Sequence, residues 1–294
     1  MSQNSVTLLA PAKINLTLDI LGKRQDGYHE LRSIMQSVSV YDRLTVTETS
    51  CGGFSMICGT EGVPCDGRNL VIKAAKAFCE KFGIGGGFEF LLEKSIPSMA
   101  GMAGGSSDCA AALIALNRLT GTNASLEGLL EIGKGLGADV PFCLAGGSRI
   151  CEGIGEILTP LPDMPKCHIV IVKPSVSIST PLAFSKYDSI SSPQASDFDG
   201  MCEAFGCGDI NGIAKRMFNA LEYASACPEI DRAKDELLSY GATASMMTGS
   251  GSAVFGIFDG KAKAKECFIE LKDRYSFCEI CQPISHGCIF EDNE

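Results

Sequence analysis

Residues 96–119, IPSMAGMAGGSSDCAAALIALNRL, constrain this chain more than any other stretch. Gly101, Gly104, Gly105, Ser106 and Ser107 stand directly before an Ala- and Leu-rich run that reads as a helix ending before Gly121. Adjacent glycines ahead of a helix are costly to order, because the glycine backbone loses the most freedom on folding. A glycine-rich turn feeding a helix N-terminus offers backbone N–H groups and the positive end of the helix dipole to an anion. Ser106 or Ser107 can cap that helix or donate to a phosphate. The competing reading is a tight turn followed by a packing helix. The stretch is not a Walker A loop, since no Gly-Lys pair in the chain is followed by Ser or Thr. GKGLGA, residues 133–138, has dinucleotide-loop spacing but follows a helix-like run rather than a strand, so that fingerprint is rejected.

The flanking patterns are those of an α+β protein. KINLTLDIL alternates, with Ile14, Leu16, Leu18 and Ile20 on one face and Lys13, Asn15, Thr17 and Asp19 on the other. That period of two predicts a half-buried strand, and Pro11 is placed at its start. Lys13 and Asn15 share the polar face, which suggests a site more than a solvated surface. Residues 69–82 predict a helix, GFEFLLEKSIP (87–97) a strand, and SLEGLLEIGKGLG a helix capped by Ser125. LGADVPFCLAGG places Asp139 before a short Pro-containing turn, where it is either an N-cap or a carboxylate beside a bound hydroxyl. In the second half, helices are expected around 209–222, 228–239 and 261–274. A strand–turn–strand is expected around Gly249, Ser250 and Gly251, and a last strand at 277–283. The connection 188–200 is polar and reads as a loop. Strands and helices mix without strict βαβ repetition, which predicts two lobes, 1–165 and 166–294.

Charge and cysteine content narrow the function classes. A formal net charge of −10 over 294 residues argues against general nucleic-acid binding but not against a local anion pocket. No apolar run reaches the roughly 18 residues needed to cross a bilayer, and the N-terminus lacks a secretory pattern. A cytoplasmic protein with no membrane or nucleic-acid partner is expected. The 15 cysteines suit a reducing compartment, mostly as small buried hydrophobes. Cys278, Cys281, His286 and Cys288 could be weighed as a zinc site. The two-knuckle spacing is missing and FCEIC also reads as a strand, so no protein metal site is expected.

PAKINLTL, IPSMAGMAGGSSDCAAA and MTGSGSAVF resemble the three signature motifs of the GHMP small-molecule kinases, in order and spacing. KRQDGYHELRSIMQ, GADVPF, GIGEILTPL and KPSVSISTPLAF resemble more narrowly the members acting on 4-diphosphocytidyl-2-C-methyl-D-erythritol, on the methylerythritol phosphate route to isoprenoids. The resemblance implies a ribosomal-S5-domain-2-like N-terminal lobe and a ferredoxin-like C-terminal lobe. It implies transfer of the γ-phosphoryl of ATP, with Mg²⁺, to the C2 hydroxyl of a small-molecule substrate, by a monomer or weak homodimer. Lys13 and Asp139 would be catalytic. The loop Ala100, Gly101, Ala103, Gly104, Gly105, Ser106 and Ser107 would cradle the phosphates, and Asn69, Leu70, Lys94 and Pro97 would line the nucleoside pocket. Lys94 also reads as a solvated strand-end lysine. Asn15, Tyr28, His29, Thr180, Phe184, Gly249, Ser250 and Gly251 would hold the acceptor, with Tyr28 and His29 on the cytosine and Phe184 stacking from the opposite side.

Some members carry Gly where this chain has Ala100 and Ala103, so negative φ is expected at both. Asp108, in the first turns of the helix, would repel phosphate if it turned into the loop. Two alternatives remain: another GHMP kinase of homoserine or mevalonate type, and a non-catalytic sugar-nucleotide sensor on the same fold.

Overall fold

The structure, a computed structural model, describes residues 4–291. The chain begins with two long strands, β1 (Ser5–Lys23) and β2 (His29–Thr49), then β3 (Gly53–Cys58), α1 (Leu70–Phe82), β4 (Gly87–Glu93) and α2 (Gly104–Leu119). It continues through α3 (Leu126–Leu136), α4 (Val140–Ala145), β5 (Ser148–Gly153) and β6 (Ile157–Pro160). Next come β7 (His168–Lys173), α5 (Thr180–Tyr187), α6 (Phe198–Cys207), α7 (Ile210–Lys215), β8 (Phe218–Asn219) and α8 (Ala220–Ser225). The last elements are α9 (Pro228–Ser239), β9 (Ala244–Met247), β10 (Val254–Phe258), α10 (Lys261–Leu271), β11 (Phe277–Cys281) and β12 (Ile289–Phe290).

Two sheets result. One runs β12-β1-β2-β4-β3, with β5 and β6 extending from β2 and β8 on β1; the other runs β11-β7-β10-β9. β8 and β12 lie late in the chain yet pair with β1, so the C-terminal half contributes backbone to the first sheet. On one side of that sheet, Val71, Ile72 and Phe78 of α1 and the Ala-rich face of α2 pack against Leu44, Phe88 and Phe90. The small alanines let α2 lie close to the sheet. On the other side, Ile14, Leu16 and Ile34 pack directly with Ile169, Ile171 and Phe255 of the second sheet. The lobes therefore share apolar core rather than meeting through a wet interface.

Helix boundaries follow their caps. Asn69 accepts from Val71 N at 2.9 Å to start α1, and Gly83 ends it in the left-handed region at φ 65°. Ser125 caps α3 through Gly128 N. Three expectations change. Pro11 lies inside β1 at a register shift between Pro11 and Ala12, not at its start; a bulge tolerates the missing N–H. The expected 209–222 helix is broken into α7, β8 and α8, because Asn219 caps a new helix through Leu221 N. The polar face of β1 is buried: Lys13, Asn15, Thr17 and Asp19 are all covered. Ser196, β8 and Thr248, all from the C-terminal half, close over it.

Candidate active site

The site is built on that covered polar face. A second register shift falls between Asn15 and Thr17, re-aiming the side chains before it. Lys13 is only 4% exposed. Its Nζ donates to Asn15 Oδ1 at 2.7 Å, and Asn15 Nδ2 donates to Ser33 Oγ at 2.8 Å. The Asn15 backbone N–H donates to Thr248 Oγ1 at 3.0 Å. Asn15 is thus occupied on three sides, and it fixes where the Lys13 ammonium points.

The glycine-rich loop passes between the lobes. Lys13 N donates to Met102 O, while Ser252 N and Ala253 N donate to Met99 O and Ala100 O. Gly101 has φ 74°, and a Cβ there would lie 2.1 Å from Thr248 O. Gly249 has φ 55°, and its Cβ would lie 2.9 Å from Gly101 O and 3.4 Å from Lys13 Nζ. The two glycine turns touch each other beside Lys13, where side chains would not fit. Gly251 also has positive φ, 86°.

Two expectations for this loop fail. Ala103 adopts φ 58° and ψ 28° in the left-handed region, where an alanine costs roughly 1–2 kcal/mol. It is the N-cap of α2, and its carbonyl accepts from Ser107 N. Ala100 does not share that conformation; it is buried. Neither serine caps α2, which has no side-chain cap at all. Ser107 Oγ is buried and donates to Pro11 O at 2.7 Å, tying the helix to β1 rather than reaching the loop. Ser106 is half-buried, and its Oγ lies near Gly137, on the side of Asp139. The first N–H groups of α2 are consequently left for a ligand to satisfy.

Asp139 occupies the N-cap position of α4, but its side chain makes no capping bond, so the carboxylate is not spent on the helix. Its Oδ2 sits 3.8 Å from Lys13 Nζ, and its side chain keeps 30% exposure. An ammonium and a partly exposed carboxylate thus face one space, flanked by the glycine turns.

Lys94 behaves differently. Its side chain is 7% exposed, which overturns the solvated-lysine reading. Its ammonium pairs with Asp42 and, at 2.7 Å, with Asp108. Asp42 also accepts from Ser95 N at 2.6 Å and Ile96 N at 2.8 Å. Asp108 therefore turns under α2 and away from the loop. Burial, helped by Asp42 and opposed by Lys94, pushes the Asp108 carboxyl up to about 8. Burial works to lower Lys94, and the two carboxylates more than reverse it. Nearby, Leu70 approaches Gly105, Asn69 Nδ2 holds Pro64 O, and Pro97 is half-buried in the loop after β4.

On the far side, Thr180 Oγ1 and Ser250 Oγ lie 2.8 Å apart, linking α5 to the second glycine turn. His29 and Phe184 stack directly, with centroids 4.7 Å apart and planes 19° off parallel. A base does not fit between those two rings as they stand. Tyr28 is 60% exposed beside them. His29 Nε2 meets Asp188 Oδ1 at 2.7 Å, and Lys23 Nζ meets Asp188 Oδ2 at 2.6 Å. Those two contacts, Lys23's first, lower the Asp188 carboxyl.

Comparisons with known proteins place the chain in a family. The GHMP kinases N terminal domain matches residues 69–147 and the GHMP kinases C terminal domain matches 200–276. The 4-diphosphocytidyl-2-C-methyl-D-erythritol kinase of Lachnoclostridium phytofermentans is 45% identical over 269 residues, 91% of this chain and 92% of that protein. The chain belongs to the 4-diphosphocytidyl-2-C-methyl-D-erythritol kinase family. The Lachnospira eligens member of this kinase family is 44% identical over 90% of this chain and 92% of its own. A crystal structure of a 4-(cytidine 5'-diphospho)-2C-methyl-D-erythritol kinase superposes with TM-score 0.81 at 33% identity, covering 96% of this chain and all of that one. A homoserine kinase from Cytophaga hutchinsonii, at 20% identity and TM-score 0.78, shares the fold. The two-lobed α+β kinase architecture stands, and the chain is a phosphotransferase that uses ATP.

Within this kinase family's framework, Thr248, Ser33, Asp42 and Asp188 contribute partners that the sequence reading missed. Thr248 adjoins the GSG turn, and Asp42 is an acid within an otherwise apolar-alternating stretch of β2; only those cues pointed to them. Cys278 and Cys281 are buried on β11, and burial pushes Cys278 up to about 12. Among the described residues no group of three His, Cys, Asp or Glu could hold a metal ion, and no helix is long and apolar enough to cross a membrane.

Proposed function

We infer that this chain moves the γ-phosphoryl of ATP to the C2 hydroxyl of 4-diphosphocytidyl-2-C-methyl-D-erythritol, as the names of its relatives indicate. The observation that carries the chemistry is the Lys13–Asp139 pair, 3.8 Å apart beside two touching glycine turns. Phosphoryl transfer asks the protein for positioning and charge stabilisation more than for covalent work. The uncapped start of α2 and the loop 100–106 receive the triphosphate. Lys13, aimed by Asn15, stabilises charge building on the transferring group. Asp139 orients the acceptor hydroxyl and takes its proton late in the transfer.

Mg²⁺ would be carried on the nucleotide phosphates and water, its usual mode. Bound there, the ion would neutralise phosphate charge, and no residue of this chain is assigned to it. Asn69, Leu70 and Pro97 border the nucleoside. Tyr28, His29 and Phe184 select the cytosine, with Tyr28 as the exposed stacking ring; Thr180, Ser250, Gly249 and Gly251 close on the acceptor. The enzyme works in the cytoplasm on a small molecule, as a monomer or weak homodimer.

The test is ADP release with ATP, Mg²⁺ and separate acceptors: the cytidyl substrate, mevalonate, homoserine and galactose. Turnover confined to the cytidyl substrate is expected. Turnover with another acceptor would keep the phosphate site and overturn the assignment of Tyr28, His29 and Phe184. ATP binding without turnover of any acceptor would favour the non-catalytic sensor.

A further inference from the structure

Beneath the glycine loop lies a group of charges that phosphoryl transfer as described leaves without a role. Asp42 at the end of one β2 stretch, Lys94 after β4 and Asp108 on α2 are buried together. Lys94 Nζ would lie 3.0 Å from a Cβ on Gly104, the first residue of α2. The ammonium therefore sits directly under the turn that starts the phosphate-binding helix. Asp42 and Asp108 take two of the three N–H groups of the Lys94 ammonium. Its contribution is to join the sheet to the helix: Asp42 holds the backbone of Ser95 and Ile96, Lys94 holds Asp42, and Asp108 holds α2.

The charge count adds a consequence. Two ionised carboxylates and one ammonium would leave a net negative charge buried below the place where phosphates bind. Burial of an unbalanced charge is costly. Asp108 Oδ1 has no hydrogen-bond partner, so its ionised form is the poorly supported one. A neutral Asp108 leaves a balanced Asp42–Lys94 pair. The other groups near Asp108 are the thiols of Cys109 and Cys288. Burial raises both, Cys288 to about 12, so neither titrates near neutrality.

We propose that Asp42, Lys94 and Asp108 are positioning residues for ATP, holding the start of α2 in place, and that Asp108 must keep its proton for the triphosphate to bind well. This rests on the reading that ATP phosphates sit at the start of α2. Losing the proton puts a negative charge beneath the phosphates in a poorly screened interior and weakens ATP without touching the acceptor.

The experiment is the KM for ATP and for the cytidyl acceptor between about pH 7 and pH 9, with excess Mg²⁺, in the wild type and in Asp108→Asn. The terminal phosphate's own titration, near pH 6, is complete over this window. The wild-type KM for ATP is expected to rise about three- to tenfold across it, with the acceptor KM unchanged. Asp108→Asn keeps an acceptor for Lys94 and removes the proton, so its KM for ATP should stay flat. An equal rise in Asp108→Asn, or a flat wild-type profile, overturns the proposal; the wild-type profile alone decides if the variant does not fold. Failure of the wild type to bind ATP at pH 7 would instead overturn the phosphate-site reading beneath it.

Discussion

Lys13 and Lys94 are both buried lysines in the first lobe, both close to the glycine loop, yet their surroundings differ in kind. Lys94 is gripped by two carboxylates that are themselves buried. Lys13 has one neutral partner, Asn15, and a carboxylate 3.8 Å away that stays partly open to solvent. An ammonium held between two buried acids ties backbone segments together and has its field largely offset by them. An ammonium with a slack, exposed counter-charge keeps its field available to a reacting group. Burial of a lysine does not mark catalysis; the state of its counter-charge does.

The paired substitution gives the largest effects and breaks the comparison if it is false. Lys13→Met should lower kcat by about 10²–10³ while the melting temperature stays near wild type, because charge stabilisation in the transition state is lost. Lys94→Met should do the reverse. It leaves the buried Asp42 carboxylate uncompensated and should cost about 3–5 kcal/mol of stability, read from urea unfolding. If both variants lose rate and keep stability, the distinction between the lysines is wrong.

A smaller effect sharpens the same contrast. Asp108 has a folded-state pKa raised above the ordinary carboxylate value, chiefly by burial. The folded protein therefore holds a proton that the unfolded chain has lost. That contribution to stability is present below the unfolded-state value and is lost as pH rises to about 8. The urea midpoint should fall between about pH 5 and pH 9, and fall less in Asp108→Asn. Equal slopes in the two proteins would contradict the assignment of that proton to Asp108.

What the sequence revealed and what it hid follow from distance along the chain. Local chemistry was readable: Asn69, Gly83 and Ser125 mark helix ends through bonds to near neighbours. The motifs brought Lys13, Asp139 and the two glycine turns into one proposed site, and the fold does bring them together. The burial of the Lys13–Asp19 face was not readable, because its covers come from Ser196, Phe218, Asn219 and Thr248. Lys94 looked like an exposed strand end for the same reason: Asp42 lies 52 residues away. Ala103 escaped because a left-handed alanine is held by tertiary context, not by its own preference. The stacking of His29 on Phe184 depends on two lobes closing, which no local pattern encodes.

The most direct measurement is the single-turnover rate of phosphoryl transfer from ATP to the cytidyl acceptor in Asp139→Asn, alongside its Kd for ATP. Asparagine keeps the size of the side chain and removes the charge and the basicity. ATP binding within about threefold of wild type is expected, with a transfer rate lower by about 10²–10⁴. A transfer rate close to wild type would show that Asp139 neither orients the hydroxyl nor takes its proton, and that the Lys13–Asp139 space is not where the phosphoryl group moves.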